Sequence, residues 1–235
     1  MKKNQEDIFI EQESDAWFDR NSSKIVEPVS TNHNVIKAVL SINLPKSGSF
    51  IDLGGGVGSV SARIKKLYPD WKGTVLEPSQ KARNHGSKIF PLIDFAPGSL
   101  TKKEDMPIKD YDLVIISMVF TWIDRTLLTQ AIANIDNLVK PGGHIIIQDF
   151  YAPFPRANNY HHTEGVWTYK QDYSLLFTST NLYTELLKDQ KNVSHSTYDE
   201  SDPYDSWLMT SVLKKDLFGR YRQSPLKKKI IIEKT

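Results

Sequence analysis

The residues with the clearest chemical meaning form a glycine-rich turn early in the chain. The turn reads DLGGGVG over residues 52–58, between an apolar run at 49–53 and a segment of helical spacing at 59–68. Glycines permit positive φ and lack the Cβ atoms that would keep a ligand away from the backbone. A helix that begins after such a turn directs its free N–H groups into the same space. The pattern predicts a ligand-binding loop, although tight strand–helix packing would also use it.

A carboxylate follows about twenty residues later. Glu77 ends the apolar run GTVLE, and an acid at the tip of a second strand can accept both hydroxyls of a ribose. Together, the turn and the acid predict a nucleoside site, as in enzymes that bind NAD. The dinucleotide fingerprint, however, requires a third glycine three positions after the second, where this chain has Ser59 or Ser61.

Alternating strands and helices position these groups. Apolar runs at 111–120 and 144–150 are typical of strands buried on both faces. Helical spacing occurs at 79–89 and 127–138, and we expect a weaker strand near 91–95. The alternation predicts an α/β fold with a parallel sheet and helices on both faces.

The two ends of the chain have a different character. Over residues 1–45 we expect an arm followed by a helix at 30–44, which Ser30 or Thr31 would cap. The arm and this helix would together form a lid. After residue 150, an aromatic and histidine-rich stretch has no clear period. Alternation at 182–187 and in SWLMTSVLKKD predicts two late antiparallel strands, and LKKKIIIEKT at the end is another candidate strand. We therefore expect one domain over 1–235, with a cofactor-binding core at 46–150 and a substrate-covering loop and C-terminal strands at 151–235.

Two further segments extend the glycine motif into a family pattern. YDLVIISMVFTWIDR and LVKPGGHIIIQDF follow the turn in order, and the three together cover residues 49–150. This set resembles the class I S-adenosylmethionine-dependent methyltransferases. The resemblance implies a Rossmann-like, seven-stranded, mostly parallel sheet with the last strand antiparallel. It also implies S-adenosylmethionine as cofactor and S-adenosylhomocysteine as product.

The same resemblance implies roles for individual residues. Gly54, Gly56 and Gly58 would wrap the methionine part of the cofactor. Asp52 would hold the loop or reach the cofactor's amino group, and Glu77 would bind the ribose hydroxyls. The other implied contacts are Pro78 beside the adenine, Ser99 and Leu100 where the family often has an acid for the adenine amine, Ser117 and Met118 around the methionine, Trp122 as a wall, and Trp17 and Arg20 as a lid.

Histidines are the natural candidates for a catalytic base. Methyl transfer is an in-line displacement, so the enzyme mainly orients the reactants, but a hydroxyl acceptor also needs a base. His161 and His162 lie where a substrate-covering loop is expected, although they could simply be exposed loop residues. Asp149, at the end of the fifth strand, could orient the base or the substrate, or cap a turn. Adjacent histidines point apart on an extended chain, so no metal site is predicted.

The sequence leaves several alternatives for the methyl acceptor. WFDRN at 17–21 and the stretch at 160–177 are similar to bacterial methyltransferases of cell-surface polysaccharide synthesis. That similarity implies O-methylation of a nucleotide-sugar or another capsule or O-antigen precursor. Basic residues that could hold a phosphate, or simply be solvated, are Arg156, Lys170, Arg220 and Arg222. The alternatives are N-methylation of an amino sugar or small amine, RNA methylation using the basic stretch KKDLFGRYRQSPLKKK, and non-catalytic cofactor binding.

The composition limits the kinds of molecule that the chain is expected to bind. The formal net charge is +2, so nucleic acid is an unlikely main partner, and a small molecule is expected. There is no cysteine, which excludes disulfides, thiolate zinc sites and cysteine nucleophiles. No apolar run reaches the roughly 18 residues of a membrane span, and the amino terminus is not a secretory signal. A cytoplasmic location is therefore expected.

Overall fold

A computed structural model describes residues 4–24, 27–192 and 207–218. Its strands are β1 (Ser49–Leu53), β2 (Lys72–Glu77), β3 (Asp94–Pro97), β4 (Tyr111–Ser117), β5 (Val139–Phe150), β6 (Arg156–Asn159), β7 (Trp167–Lys170), β8 (Tyr183–Asn192) and β9 (Trp207–Lys215). Its α-helices are α1 (Gln5–Ile8), α2 (Ser14–Asn21), α3 (Asn34–Leu40), α4 (Ser59–Leu67), α5 (Gln80–Ile89), α6 (Leu128–Leu138) and α7 (Leu175–Thr178). A π-helical turn, Phe9–Glu13, joins α1 to α2, and short 3₁₀ turns occur at Ser22–Lys24, Lys103–Asp105 and Phe120–Trp122.

Seven strands form one sheet in the order β3-β2-β1-β4-β5-β9-β8. The pairs from β3 to β5 are parallel, whereas β9 runs antiparallel to both β5 and β8. This arrangement confirms the Rossmann-like sheet, with the last strand of the described chain antiparallel. Strands β6 and β7 form a separate antiparallel hairpin.

The central strands are buried on both faces, as their unbroken apolar runs predict. In β4, Val114 and Ile116 belong to a core that includes α6 and α7, whereas Leu113 and Ile115 face a core that includes α3, α4 and α5. Successive side chains of a strand point to opposite faces, so one strand supplies both cores. The two cores hold the carboxyl ends of the parallel strands together at one edge, where ligands of such sheets bind.

The N-terminal segment differs from the predicted arm because it is helical from Gln5 to Asn21. A π-helical turn, Phe9–Glu13, interrupts this helix, and Phe9 in the turn and Trp17 in α2 both line the same cavity. The sequence did not predict a helix here because the apolar residues of this segment are few and scattered among charged ones.

Smaller differences concern element ends and the region after β5. Helix α3 begins later than predicted, with His33 at its N-cap position, because Ser30 accepts the Asn32 N–H (3.1 Å) in a turn before the helix. Strand β3 lies a few residues beyond the predicted 91–95, because the Ile93 N–H closes a turn onto the Phe90 carbonyl (3.0 Å). The aperiodic stretch contains the β6–β7 hairpin and α7.

Some predictions concern parts of the chain outside the described residues. These are the strand in LKKKIIIEKT, Arg220 and Arg222, together with most of the basic stretch on which the RNA alternative depends. Among the described helices, none is long and apolar enough to cross a bilayer.

Two isoleucines provide a matched test of the double-sided core. Ile115, at the centre of the sheet, is fully buried, whereas Ile108 is fully exposed. We expect Ile115→Ala to lower the free energy of unfolding by about 2–5 kcal/mol through lost burial and a residual cavity. Ile108→Ala should change it by less than about 0.5 kcal/mol. Urea denaturation of both variants measures the difference, and equal effects would contradict this packing.

Candidate cofactor site

A cavity of about 420 Å³ lies at the carboxyl edge of the sheet, beneath the N-terminal helical segment. Three carboxylates line it, those of Glu6, Asp52 and Glu77, and none of its described lining residues is Lys, Arg or His. Of the residues implied by the family resemblance, the cavity brings together Asp52, Gly54, Gly56, Glu77, Pro78, Ser99, Leu100, Ser117, Met118, Trp122 and Trp17. Gly58, Arg20, Asp149, His161 and His162 are not in its lining.

The glycine turn has a left-handed backbone that suits glycine. Gly54, Gly56 and Gly58 have φ values of 68°, 57° and 80°. A Cβ on Gly54 would lie 2.7 Å from Val119, whereas a Cβ on Gly56 would meet nothing within 4 Å. Packing therefore excludes a side chain at Gly54, and the open space beside Gly56 belongs to the cavity. Gly58 caps α4, and its missing Cβ faces Phe95.

Glu77 connects the glycine turn to the end of β2. One carboxylate oxygen, Oε2, accepts the Gly56 N–H at 2.9 Å, and Oε1 accepts the Ser79 N–H at 2.8 Å. Burial raises the pKa of this carboxyl group. Each oxygen can accept a further hydrogen bond, so the side chain can support the turn and still bind ligand hydroxyls.

Asp52 is almost fully buried beside Glu77. Its Oδ2 accepts the Ser61 hydroxyl at 2.8 Å. Burial raises the pKa of Asp52 to about 7, and the negative charge of Glu77 contributes to the shift. A cationic ligand in the cavity would favour the ionised form and lower this pKa.

Asp149 holds the loop after β4 and does not line the cavity. Its Oδ2 accepts the N–H groups of Val119 (3.0 Å) and Thr121 (3.3 Å), and its Oδ1 accepts that of Phe150 (2.8 Å). Burial raises its pKa to about 7. Next to this loop, Met118 adopts a positive φ of 60°, which is uncommon for a non-glycine residue. The structure thus supports the turn-capping interpretation of Asp149.

The N-terminal segment closes the cavity through polar side chains that sequence reasoning missed. The Gln5 side chain donates to the carbonyls of Trp122 (2.7 Å) and Trp167 (2.8 Å), and it accepts the Trp167 N–H (3.0 Å). Glu6 accepts the hydroxyls of Ser99 and Thr101, both at 2.5 Å. Gln5 and Glu6 are only 6% and 7% exposed, although polar residues near a chain terminus usually indicate a solvated segment.

Arg20 ties this segment to the loop of the β6–β7 hairpin. It forms an ion pair with buried Glu13 and donates to the Tyr160 hydroxyl at 3.0 Å. Glu13 also accepts from Tyr160 (3.0 Å) and Thr163 (2.7 Å). Burial and the charge of Glu13 raise the pKa of Tyr160 to about 12, so its phenol stays protonated near neutral pH. Trp17, 38% exposed, lies at the mouth of the cavity.

His161 and His162 are exposed and lie near the cavity wall without forming it. Their ring centroids are 3.9 Å apart, and His162 packs at 5.2 Å against Tyr160. Tyr160 in turn makes an edge contact with Trp122, which does line the cavity. Loss of solvent, followed by the charges of His161 and Arg20, lowers the pKa of His162.

The sheet order, the glycine turn and the acid at the end of β2 define a Rossmann-like fold of the kind found in class I methyltransferases. The chain belongs to the O-methyltransferase domain family, whose sequence model matches residues 7–181. The family match covers the N-terminal segment from Asp7 onward, every cavity-lining residue except Glu6, and the β6–β7 hairpin.

Known proteins show the same pattern over part of their length. The chain is 27% identical over 107 residues to malonyl-[acyl-carrier protein] O-methyltransferase of Halalkalibacterium halodurans, covering 43% of this chain and 39% of that protein. It is 25% identical over 111 residues to demethylspheroidene O-methyltransferase of Rhodobacter capsulatus, covering 47% and 28%. The matched region therefore spans less than half of these curated relatives.

A solved structure agrees over most of the fold. The Burkholderia thailandensis 1,6-didemethyltoxoflavin-N1-methyltransferase, with 1,6-didemethyltoxoflavin and S-adenosylhomocysteine bound, matches with a TM-score of 0.64 and 12% identity. The match covers 92% of each chain. At this identity the similarity concerns the fold.

The raised pKa of Asp52 predicts that stability falls as pH rises. Its pKa is about 7 in the folded chain, against an ordinary 3.8, so between these values the folded state keeps a proton that the unfolded state has released. Raising the pH through this window therefore lowers the free energy of unfolding, by at most about 1.4 kcal/mol per pH unit for one group. We expect Asp52→Asn to flatten this slope, measured by urea denaturation from pH 5 to 8.

Asp112 provides the control for this experiment. Burial alone would raise its pKa, but hydrogen bonds from Lys140 and Ser49 keep it below 3.8. It therefore stays ionised across the window, so Asp112→Asn should leave the slope unchanged. An unchanged slope in Asp52→Asn would contradict the assignment.

Proposed function

We propose that this protein is an S-adenosylmethionine-dependent methyltransferase that methylates a hydroxyl group of a small molecule. The observation that carries the proposal is the position of the Glu77 carboxylate. It accepts a hydrogen bond from the Gly56 N–H, beside open space in the cavity. This arrangement presents an acceptor for ribose hydroxyls next to a backbone that a ligand can approach.

The cavity residues fit this cofactor. Its lining has carboxylates and no cationic side chain among the described residues, which suits a positively charged sulfonium. When bound, S-adenosylmethionine supplies a methyl group on that sulfur, where the lone pair of an acceptor can displace it. Glu77 would hold the ribose, Asp52 the methionine amino group, and Pro78 and Leu100 the faces of the adenine.

The remaining lining suits a flat or apolar acceptor. Phe9, Trp17, Trp122 and Phe150 add aromatic surface to the same cavity. Such surfaces stack on aromatic rings and cover the apolar faces of sugars. We therefore favour a neutral, hydroxyl-bearing ring as the acceptor.

A nucleotide-sugar or another capsule or O-antigen precursor stays a predicted methyl acceptor. The phosphate groups of a nucleotide-sugar would need binding partners. Phosphate groups are usually bound by Arg, Lys or backbone N–H groups. Because the described lining contains three carboxylates and no Lys, Arg or His, only backbone N–H groups could bind a phosphate inside the cavity, and we expect the phosphate to lie outside it. A neutral sugar ring makes no such demand.

N-methylation is the second candidate. No histidine is among the described residues that line the cavity, and a neutral amine carries its own lone pair and needs no base. Under the O-methylation proposal, His161 or His162 would provide the base from the loop that carries Tyr160.

Glu77→Gln tests the proposed cofactor site. The amide presents only one acceptor oxygen, so a hydrogen bond to the glycine turn or to the ribose is lost. We expect S-adenosylhomocysteine to bind about 10- to 100-fold more weakly, as measured by titration calorimetry. Glu164→Gln, on the exposed part of the β6–β7 hairpin, is the matched control and should bind like the wild type. Equal affinities for the two variants would refute the role of Glu77.

Histidine variants separate the two reactions. Formation of S-adenosylhomocysteine would be measured with neutral and phosphorylated glycosides, phenols and amines as acceptors. With a hydroxyl acceptor, we expect either His161→Gln or His162→Gln to lower kcat by about 10²–10⁴-fold, whichever residue is the base. His144→Gln, six residues before the cavity residue Phe150, is the control. Full activity of all three variants on amines, with no turnover of hydroxyls, would favour N-methylation.

A further inference from the structure

Glu6 places an acidic side chain from the N-terminal segment in the wall of the cavity. The residue is 7% exposed and lines the cavity from α1. Its Oε1 accepts the hydroxyls of Ser99 and Thr101, both at 2.5 Å. Within the described chain, the hydrogen bonds of this carboxylate all go to Oε1, so Oε2 can accept one from a ligand.

The position of Ser99 identifies the part of the cofactor that Glu6 would meet. Strand β3 is the outer neighbour of β2, with Pro97 paired to Glu77, and Ser99 lies two residues after Pro97. With the ribose at Glu77, the glycine turn lies on one side and the segment after β3 on the other. The base therefore occupies the side of Ser99 and Leu100, where Glu6 lies.

The two hydroxyl groups next to Glu6 already donate hydrogen bonds to its carboxylate. Ser99 and Thr101 direct their hydroxyl hydrogens to the carboxylate and so hold it in place. Ser99 also stands at the position where the family resemblance implied an acid for the adenine amine. The carboxylate missing from the segment after β3 is thus present in space, supplied by a residue 93 positions earlier.

We propose that Glu6 accepts a hydrogen bond from the exocyclic amine of the adenine and so selects adenine as the base. This inference rests on the proposed cofactor. Because Glu6 lies on α1, the base edge is read only when that helix is docked. Gln5 provides the docking through its bonds to the carbonyls of Trp122 and Trp167.

A pair of ligands that differ at the base edge tests the proposal. Titration calorimetry would compare S-adenosylhomocysteine with S-inosylhomocysteine, in which a carbonyl oxygen replaces the amine. We expect the wild type to prefer the adenosyl compound by about 10- to 100-fold, since a carboxylate cannot donate to that oxygen. In Glu6→Gln, the amide can accept from the amine or donate to the carbonyl, so most of the preference should disappear.

Controls separate recognition of the base from damage to the fold. The Gln side chain can still accept from Ser99 and Thr101, and circular dichroism and Tm should match those of the wild type. Glu11→Gln, at an exposed position of the same segment, should keep the full preference.

The outcomes distinguish failure of the cofactor assignment from failure of the proposed role of Glu6. If the wild type binds neither compound, the cofactor assignment itself fails. If the wild type binds both equally, or if Glu6→Gln keeps the preference, Glu6 does not read the base, and the cofactor assignment stands.

Discussion

The cavity depends on one hydrogen-bonded carboxylate. Glu77 accepts the N–H groups of Gly56 and Ser79 and so joins the glycine turn after β1 to the end of β2. Hydrogen bonds to a charged acceptor are stronger than those between neutral groups, which suits a contact that must hold a left-handed backbone in place. Because the carboxylate oxygens keep unused lone pairs, the group that supports the turn can also bind the ligand.

The charges around the cavity suit the proposed ligand. Asp52 and Glu77 are buried, and burial raises both pKa values because it disfavours the charged forms. In the proposed function, a sulfonium cation would offset this cost. An anionic ligand would add to it, since the described lining has no cation. The electrostatics thus support the cofactor and an uncharged acceptor together.

The N-terminal segment shows where sequence reasoning was sufficient and where it was not. The motifs at 52–58 and 77 are local, so the glycine turn after β1 and the acid at the end of β2 were predictable from residue type and spacing. Helix formation before residue 22 was not, because the apolar residues of this segment are few and scattered among charged ones. Arg20 was predicted to contact the cofactor, but its partner is Glu13, whose burial no local pattern indicates.

The sequence by itself determined the class of fold, the glycine turn and the acid beside it, since glycine conformation and strand burial are local properties. Only the tertiary structure decided which polar groups complete the cavity. Glu6 meets Ser99 across 93 positions, and Glu13 meets Thr163 across 150. Such contacts arise because the N-terminal helical segment packs over loops that follow distant strands, where buried polar side chains must find partners.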